Sequence, residues 1–203
     1  MLFRKIKLLS IFSLFILVGC TSSKTPITYV NPTTSKPMSL ALGYKDFKAA
    51  ATALVEDLLK SGILDHPQGG RYVLAVATIK NDTTQNIDVD QLLSDIKTTL
   101  LKSGKVVISA AVSTTDRDKM LYEIRKLRGN EEFNQQTLPE KGQLIAPDFL
   151  LSGKIIQRTY YLNNKKKVEY YFILKLIDTR TGLVVWEGKK IIGKLGDKNA
   201  STW

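Results

Sequence analysis

Only one cysteine and one histidine occur among the 203 residues. A lone thiol forbids any disulfide within the chain, so a folded part must be held by apolar burial. One thiol and one imidazole also leave zinc without its usual ligand set. Gly-x-Gly-x-x-Gly and phosphate-loop spacings are missing, and Gly69-Gly70 is better explained as a turn. No apolar run reaches the roughly 20 residues of a spanning helix. Little remains that could carry catalysis. His66 precedes Pro67 in a glycine-rich turn without an oriented partner, and Asp88, Asp116, Asp178 and Glu131-Glu132 fall at helix caps and turns. Paired-carboxylate glycan cleavage is the one chemistry that counting leaves open. The residues argue against an enzyme, and neither a metal nor a soluble cofactor is expected.

The single cysteine stands in an informative place. Arg4, Lys5 and Lys7 precede eleven uncharged, mostly apolar residues, Leu8 to Val18, and then Gly19-Cys20. That is a charged region and an apolar region of signal-peptide length. Leu17-Val18-Gly19-Cys20 resembles the bacterial lipobox, in which the thiol receives diacylglycerol and the chain is cut ahead of it. Residues 1–19 are therefore expected to be a signal peptide and Cys20 a lipidated N-terminus, with a covalent acyl lipid such as palmitate. Thr21 follows, and by resemblance to Gram-negative lipoproteins the lack of aspartate there favours the outer membrane, facing the periplasm.

Losing the three signal cations takes the net charge from +11 to +8. Such a surplus suits anionic headgroups, anionic wall polymers such as peptidoglycan or an acidic protein, and serves equally as a solvated, solubilising face. An address outside the cytoplasm argues against nucleic acid. From Thr21 to Pro37, eleven of seventeen residues are Ser, Thr or Pro, too polar to fold. Residues 20–40 are thus expected to be a lipidated tether, 41–195 one globular domain and 196–203 a flexible tail.

Within the domain, Phe47, Ala51, Leu54, Leu58 and Leu59 share one face of a helix over 44–61, stopped by Gly62. Tyr72–Ile79 is an apolar strand buried on both faces, and Asn81–Thr84 its exit loop. A second helix over 88–103 turns Leu92, Leu93, Ile96, Leu100 and Leu101 inward, with Asp88 and Gln91 as a capping box. A short strand follows at 105–109. A third helix over 115–128 turns Met120, Leu121, Ile124 and Leu127 inward. After residue 148 the period becomes two, through 149–161, 167–177 and 183–192, with turn sequences between. The fold class is mixed α/β: one domain, a four- to five-stranded mixed or antiparallel sheet flanked by helices, ending in a three-strand meander.

Aromatic and basic residues gather on that meander. Tyr160, Tyr161, Lys165, Lys166, Lys167, Tyr170 and Tyr171 surround one hairpin, with Lys154, Arg158 and Lys175 further along its strands. Such a cluster could grip an acidic partner or an anionic glycan. Equally, Tyr170 and Phe172 could be core while the lysines protect a sheet edge. Alternation places Val168, Tyr170, Phe172, Leu174 and Leu176 on one face. Glu169, Tyr171, Ile173, Lys175 and Ile177 share the other, which is too apolar for full solvation and should meet a helix or a partner.

Three segments carry a resemblance to a known family. They are Val73–Lys105, with Lys80-Asn81-Asp82-Thr83-Thr84; Ala146-Pro147-Asp148-Phe149 running on to Gly153; and Thr181-Gly182-Leu183-Val184-Val185-Trp186-Glu187-Gly188-Lys189. The chain resembles the LpoB-type outer-membrane lipoprotein activators of bifunctional penicillin-binding proteins. Curli-type secretion lipoproteins and the N-terminal domain of TolB-type proteins share such motifs. The resemblance implies a non-enzymatic, monomeric regulator that docks on an accessory domain of the synthase and stimulates it. An accessory lipoprotein of a secretion or motility assembly, using the same domain for oligomer contacts, is the alternative. Family members carry a much longer tail, whereas this tether and domain together reach only about 110 Å at full stretch.

Overall fold

Alternation in the last third of the chain builds the frame of the domain. In the computed structural model, which describes residues 31–32, 39–113 and 118–202, the three alternating runs are strands of fourteen residues each. They are β3 (Phe149–Leu162), β4 (Lys165–Asp178) and β5 (Val184–Asp197), paired antiparallel in chain order. β1 (Tyr72–Asp82) lies parallel to β3, and β2 (Val106–Ser113) parallel to β1. The sheet is therefore mixed and five-stranded, in the order β2-β1-β3-β4-β5. The mixed α/β class and the C-terminal meander stand as expected. The signal peptide, Cys20, most of the tether and the start of the third predicted helix fall outside the described residues.

Helices α1 (Tyr44–Lys60) and α2 (Asp90–Lys102) cover one face of the sheet. Phe47, Leu54 and Leu58 of α1 and Leu92, Ile96 and Leu100 of α2 meet Leu74, Leu151, Ile155, Val168, Tyr170, Phe172, Leu174 and Leu176, all essentially inaccessible to solvent. Phe47 and Phe172 pack edge to face, 6.1 Å between centroids. On β5, Gly188 leaves room for the Trp186 ring and for Leu54, which a Cβ there would strike. Trp186 Nε1 donates to Asp57 Oδ2 of α1 at 3.2 Å.

Three readings of the helices are corrected. α2 begins at Asp90 with Val89 as its cap, so Gln91 lies too early for a capping box; Asp88 Oδ1 accepts instead from the Asp90 N–H in a turn. Leu101 is half exposed, one step past the buried stripe. α3 (Lys119–Lys126) buries none of its side chains. Met120 and Ile124 are exposed and Leu121 and Leu127 only half-buried. A helical period made the stripe, but no wall faces it. β1 also differs in detail from a strand buried on both faces, since Tyr72, Val73, Ala77 and Thr78 stay half-buried.

A polar network closes the domain where the chain enters it. Asn81 Oδ1 accepts from Thr83, and Asn81 Nδ2 donates to the Gln85 carbonyl. Gln85 Oε1 in turn accepts from the Leu42 N–H, and its Nε2 donates to the Tyr170 hydroxyl. That buried hydroxyl donates to the Leu40 carbonyl at 2.8 Å, and the Leu40 N–H donates to the Ser201 carbonyl. β5 runs on to Asp197, and Ala200 N–H and Lys198 N–H are both bonded to backbone, at Asp197 and Asn164. Lys194 and Asp46, 2.6 Å apart and largely buried, tie β5 to the start of α1.

Replacing Tyr170 by Phe should leave the Leu40 carbonyl and the Gln85 amide without their buried partner, at a cost of about 1–3 kcal/mol. Urea unfolding of the variant should show a lower midpoint with an unchanged slope.

A candidate partner-binding face

Because side chains on β3, β4 and β5 alternate, the face turned away from α1 and α2 is built by register alone. Three rows cross its middle. Ile156, Tyr171 and Ile191 are cross-strand partners; so are Lys154, Ile173 and Lys189; so are Ser152, Lys175 and Glu187. The next row toward the hairpin tip is Arg158, Glu169 and Gly193, and beyond it Tyr160, Lys167 and Leu195. Ile156, Tyr171 and Ile173 are half-buried and Ile191 exposed. The result is an apolar band crossed and bordered by cations.

Of the residues singled out in the sequence, Lys154, Arg158, Tyr160, Lys165, Lys167, Tyr171 and Lys175 share this face. Tyr161 and Lys166 lie on the helix side instead, where Lys166 Nζ donates to the Ala200 carbonyl at 3.4 Å. Ile156, Ile191 and Lys189 belong to the face and were missed. Alternation along 149–161 carried the signal for Ile156; for Ile191 and Lys189 only the pairing with β4 reveals it. His66 is a turn residue: its Nδ1 accepts from the N–H groups of Gln68 and Gly70, and its ring packs on Tyr72. No group of three or more His, Cys, Asp or Glu residues is placed to hold a metal among the described residues.

One charged group organises the tip-ward side. Glu169 Oε1 lies 2.6 Å from Lys167 Nζ, and Glu169 Oε2 accepts from the Tyr171 hydroxyl at 2.7 Å. The Lys167 hydrogen bond, followed by that of Tyr171, holds the Glu169 carboxyl below its ordinary range. Conversely, its bond to Glu169, then burial, pushes the Tyr171 phenol up to about 12. The Glu169 contribution to stability is thus complete above the ordinary glutamate range and lost as pH falls through its depressed value. That of Tyr171 is complete below pH 10 and lost as pH rises toward 12.

The motifs quoted for the family resemblance have structural duties at the sheet's other end. Asp148 Oδ2 accepts from the Val73 N–H at 2.8 Å, joining β3 to β1. Asp178 Oδ1 accepts from the N–H groups of Arg180 and Thr181, shaping the turn into β5.

One face of the sheet is thus committed to helices and the other presents an apolar, cationic band, on a domain of the mixed α/β class. The chain belongs to the family described as the peptidoglycan-synthase activator LpoB, whose model matches residues 46–192. That family consists of regulators of penicillin-binding proteins in peptidoglycan synthesis, facing the periplasm, rather than enzymes. Among solved structures, the chain is similar to the LpoB C-terminal domain of Salmonella enterica, at 17% identity over 72% of this chain and 98% of that one, with a TM-score of 0.42. The corresponding figures for the LpoB C-terminal domain of Escherichia coli are 16%, 72%, 98% and 0.40. For a PelC dodecamer from Paraburkholderia phytofirmans they are 17%, 64%, 76% and 0.33. No curated protein matches the sequence. No helix among the described residues is long and apolar enough to cross a membrane.

Alkaline ultraviolet titration should find Tyr171 among the last tyrosines to ionise. Glu169→Gln should bring that step back toward 10 while leaving Tyr170, held up mainly by burial, in place.

Proposed function

We propose that this chain is a lipid-anchored activator that docks on a bifunctional penicillin-binding protein through the helix-free face of its meander and stimulates peptidoglycan synthesis without chemistry of its own. The observation that carries this reading is the band of Ile156, Tyr171, Ile173 and Ile191, bracketed by Lys154, Arg158, Lys175 and Lys189. Half-buried aliphatic and tyrosine surface supplies contact area, and the cations select an acidic counterpart and speed encounter. Family membership supplies the kind of partner. Docking activates by binding one synthase conformation better than another, which shifts the population toward the competent state. Cys20 carries the lipid, the lack of an aspartate at position 21 favours the outer membrane, and the domain faces the periplasm and acts as a monomer.

Purified residues 21–203 should raise the rate of glycan polymerisation by the host's own bifunctional synthase. Reversing both cations that flank Ile173, in Lys154→Glu with Lys189→Glu, should weaken stimulation by about tenfold or more, while Lys126→Glu on α3 should not. No stimulation and no binding by the unaltered chain would refute the activator reading.

Cys20→Ala should abolish lipidation and remove the protein from the outer-membrane fraction. Unchanged fractionation would refute the anchor.

A further inference from the structure

The tip of the β3–β4 hairpin is built differently from the face beside it. Asn163, in the left-handed conformation at φ 53°, turns the chain between Leu162 and Lys165. Around this turn Tyr160, Tyr161, Leu162 and, from β5, Leu195 are all exposed, Leu162 by 75%. Arg158, Lys165, Lys166, Lys167 and Lys198 stand about them, and among the described residues the carboxylates beside them are Glu169 and Asp197. Lys165 and Asp197 pair at 2.6 Å, but both are exposed, so the pair is readily exchanged for other contacts.

The second observation is where the chain enters the domain. Ser39 and Leu40 lie beside Gly193–Gly196 and Ala200, and a Cβ on Gly196 would touch Leu40. Gly196 pairs with Lys166, one row from the hairpin turn. The continuous described stretch that starts at Ser39 thus begins at the same end of the sheet as the tip. Nineteen residue steps separate Ser39 from Cys20, a contour of at most about 65 Å. A lipid on Cys20 would therefore keep this end of the domain toward the membrane.

We propose that the hairpin tip seats the domain on an anionic phospholipid surface, that of the membrane carrying Cys20. Leu162 and the tyrosines enter the interfacial layer, where rings with one polar end are at home. The lysines of the tip meet lipid phosphates. Weak intrinsic affinity suffices, because the tether holds the tip at high effective concentration near the surface. The lipid on Cys20 is the anchor proposed above, but the tip's own affinity is separable from it and from synthase docking.

The test omits the lipid. Residues 21–203 contain the whole described core, Leu40 to Leu176, and would be floated with vesicles of phosphatidylglycerol and phosphatidylcholine, and with phosphatidylcholine alone. The chain should bind the mixed vesicles, release them as salt rises, and ignore the neutral ones. Lys165→Gln with Lys166→Gln should weaken binding about fivefold for each charge removed, and Leu162→Asp should abolish it. The same charge change at Lys126→Gln with Lys141→Gln should leave it nearly unaltered. Leu162→Asp, and Lys166→Gln alone on the opposite face of the sheet, should still stimulate the synthase in solution, so that failure here is distinct from failure of the docking reading. Absence of vesicle binding would overturn the proposal, as would equal loss in the Lys126 and Lys141 control. Tip-dependent sedimentation with purified peptidoglycan, without vesicle binding, would also overturn it and assign the tip to glycan.

Discussion

The fourteen unbroken pairs between β3 and β4, from Phe149 with Asp178 to Leu162 with Lys165, fix everything else in this domain. In a strand the side-chain period is two, so a slip of one residue would exchange the faces entirely. Tyr171, Ile173 and Lys175 would enter the core and Tyr170, Phe172 and Leu174 would leave it. The register is held from within at Gly153, where a Cβ would come 2.5 Å from the Ile173 carbonyl oxygen. It is held at the turn by Asn163 and at the far end by the Asp148 carbonyl, which accepts from the Thr179 N–H just past β4. β5 inherits the same alternation through its pairing with β4, and with it the division between a helix-covered face and an open one.

That division separates what marks the family from what could bind. Asp148, Asp178, Gly188 and Trp186 act at turns and in packing, as does the loop network from Asn81 through Gln85 to Tyr170. None of them lies in the apolar band. A fold can be kept by such residues while its exposed face is rebuilt for a different partner, because function resides in the site rather than the scaffold.

Much of this was legible along the chain because alternation is a local property. Odd and even positions of 149–177 sort themselves into core and face without reference to any other strand. Neighbours across strands are not local: Ile191 and Lys189 join the face only through pairing with Tyr171 and Ile173. For the same reason the tyrosine and lysine cluster of the hairpin read as one site, whereas register sends Tyr161 and Lys166 to the opposite face. The third helix misled differently. Met120 and Ile124 have helical spacing, but amphipathicity states only that a stripe exists, not that anything packs against it. Gln85 carried no signal at all, since its role depends on Leu42 and Tyr170 being brought to it.

Under the proposal that the tip seats on the membrane carrying Cys20, the nineteen residue steps between Cys20 and Ser39 limit how far the domain can rise. A strand of fourteen residues is about 45 Å long, so a seated domain presents its face within that height of the lipid. A partner that reaches this height can dock without disturbing the seat, since tip and band occupy different rows of the sheet. A more distant partner can be met only by leaving the surface and extending the tether, and docking is then weakened by whatever factor the seated state is favoured. Tip affinity and tether length therefore act on the same equilibrium. A chain with a short tether and a strong tip is restricted to partners near its own membrane, and weakening the tip widens its range only as far as the contour from Cys20 to Ser39 allows.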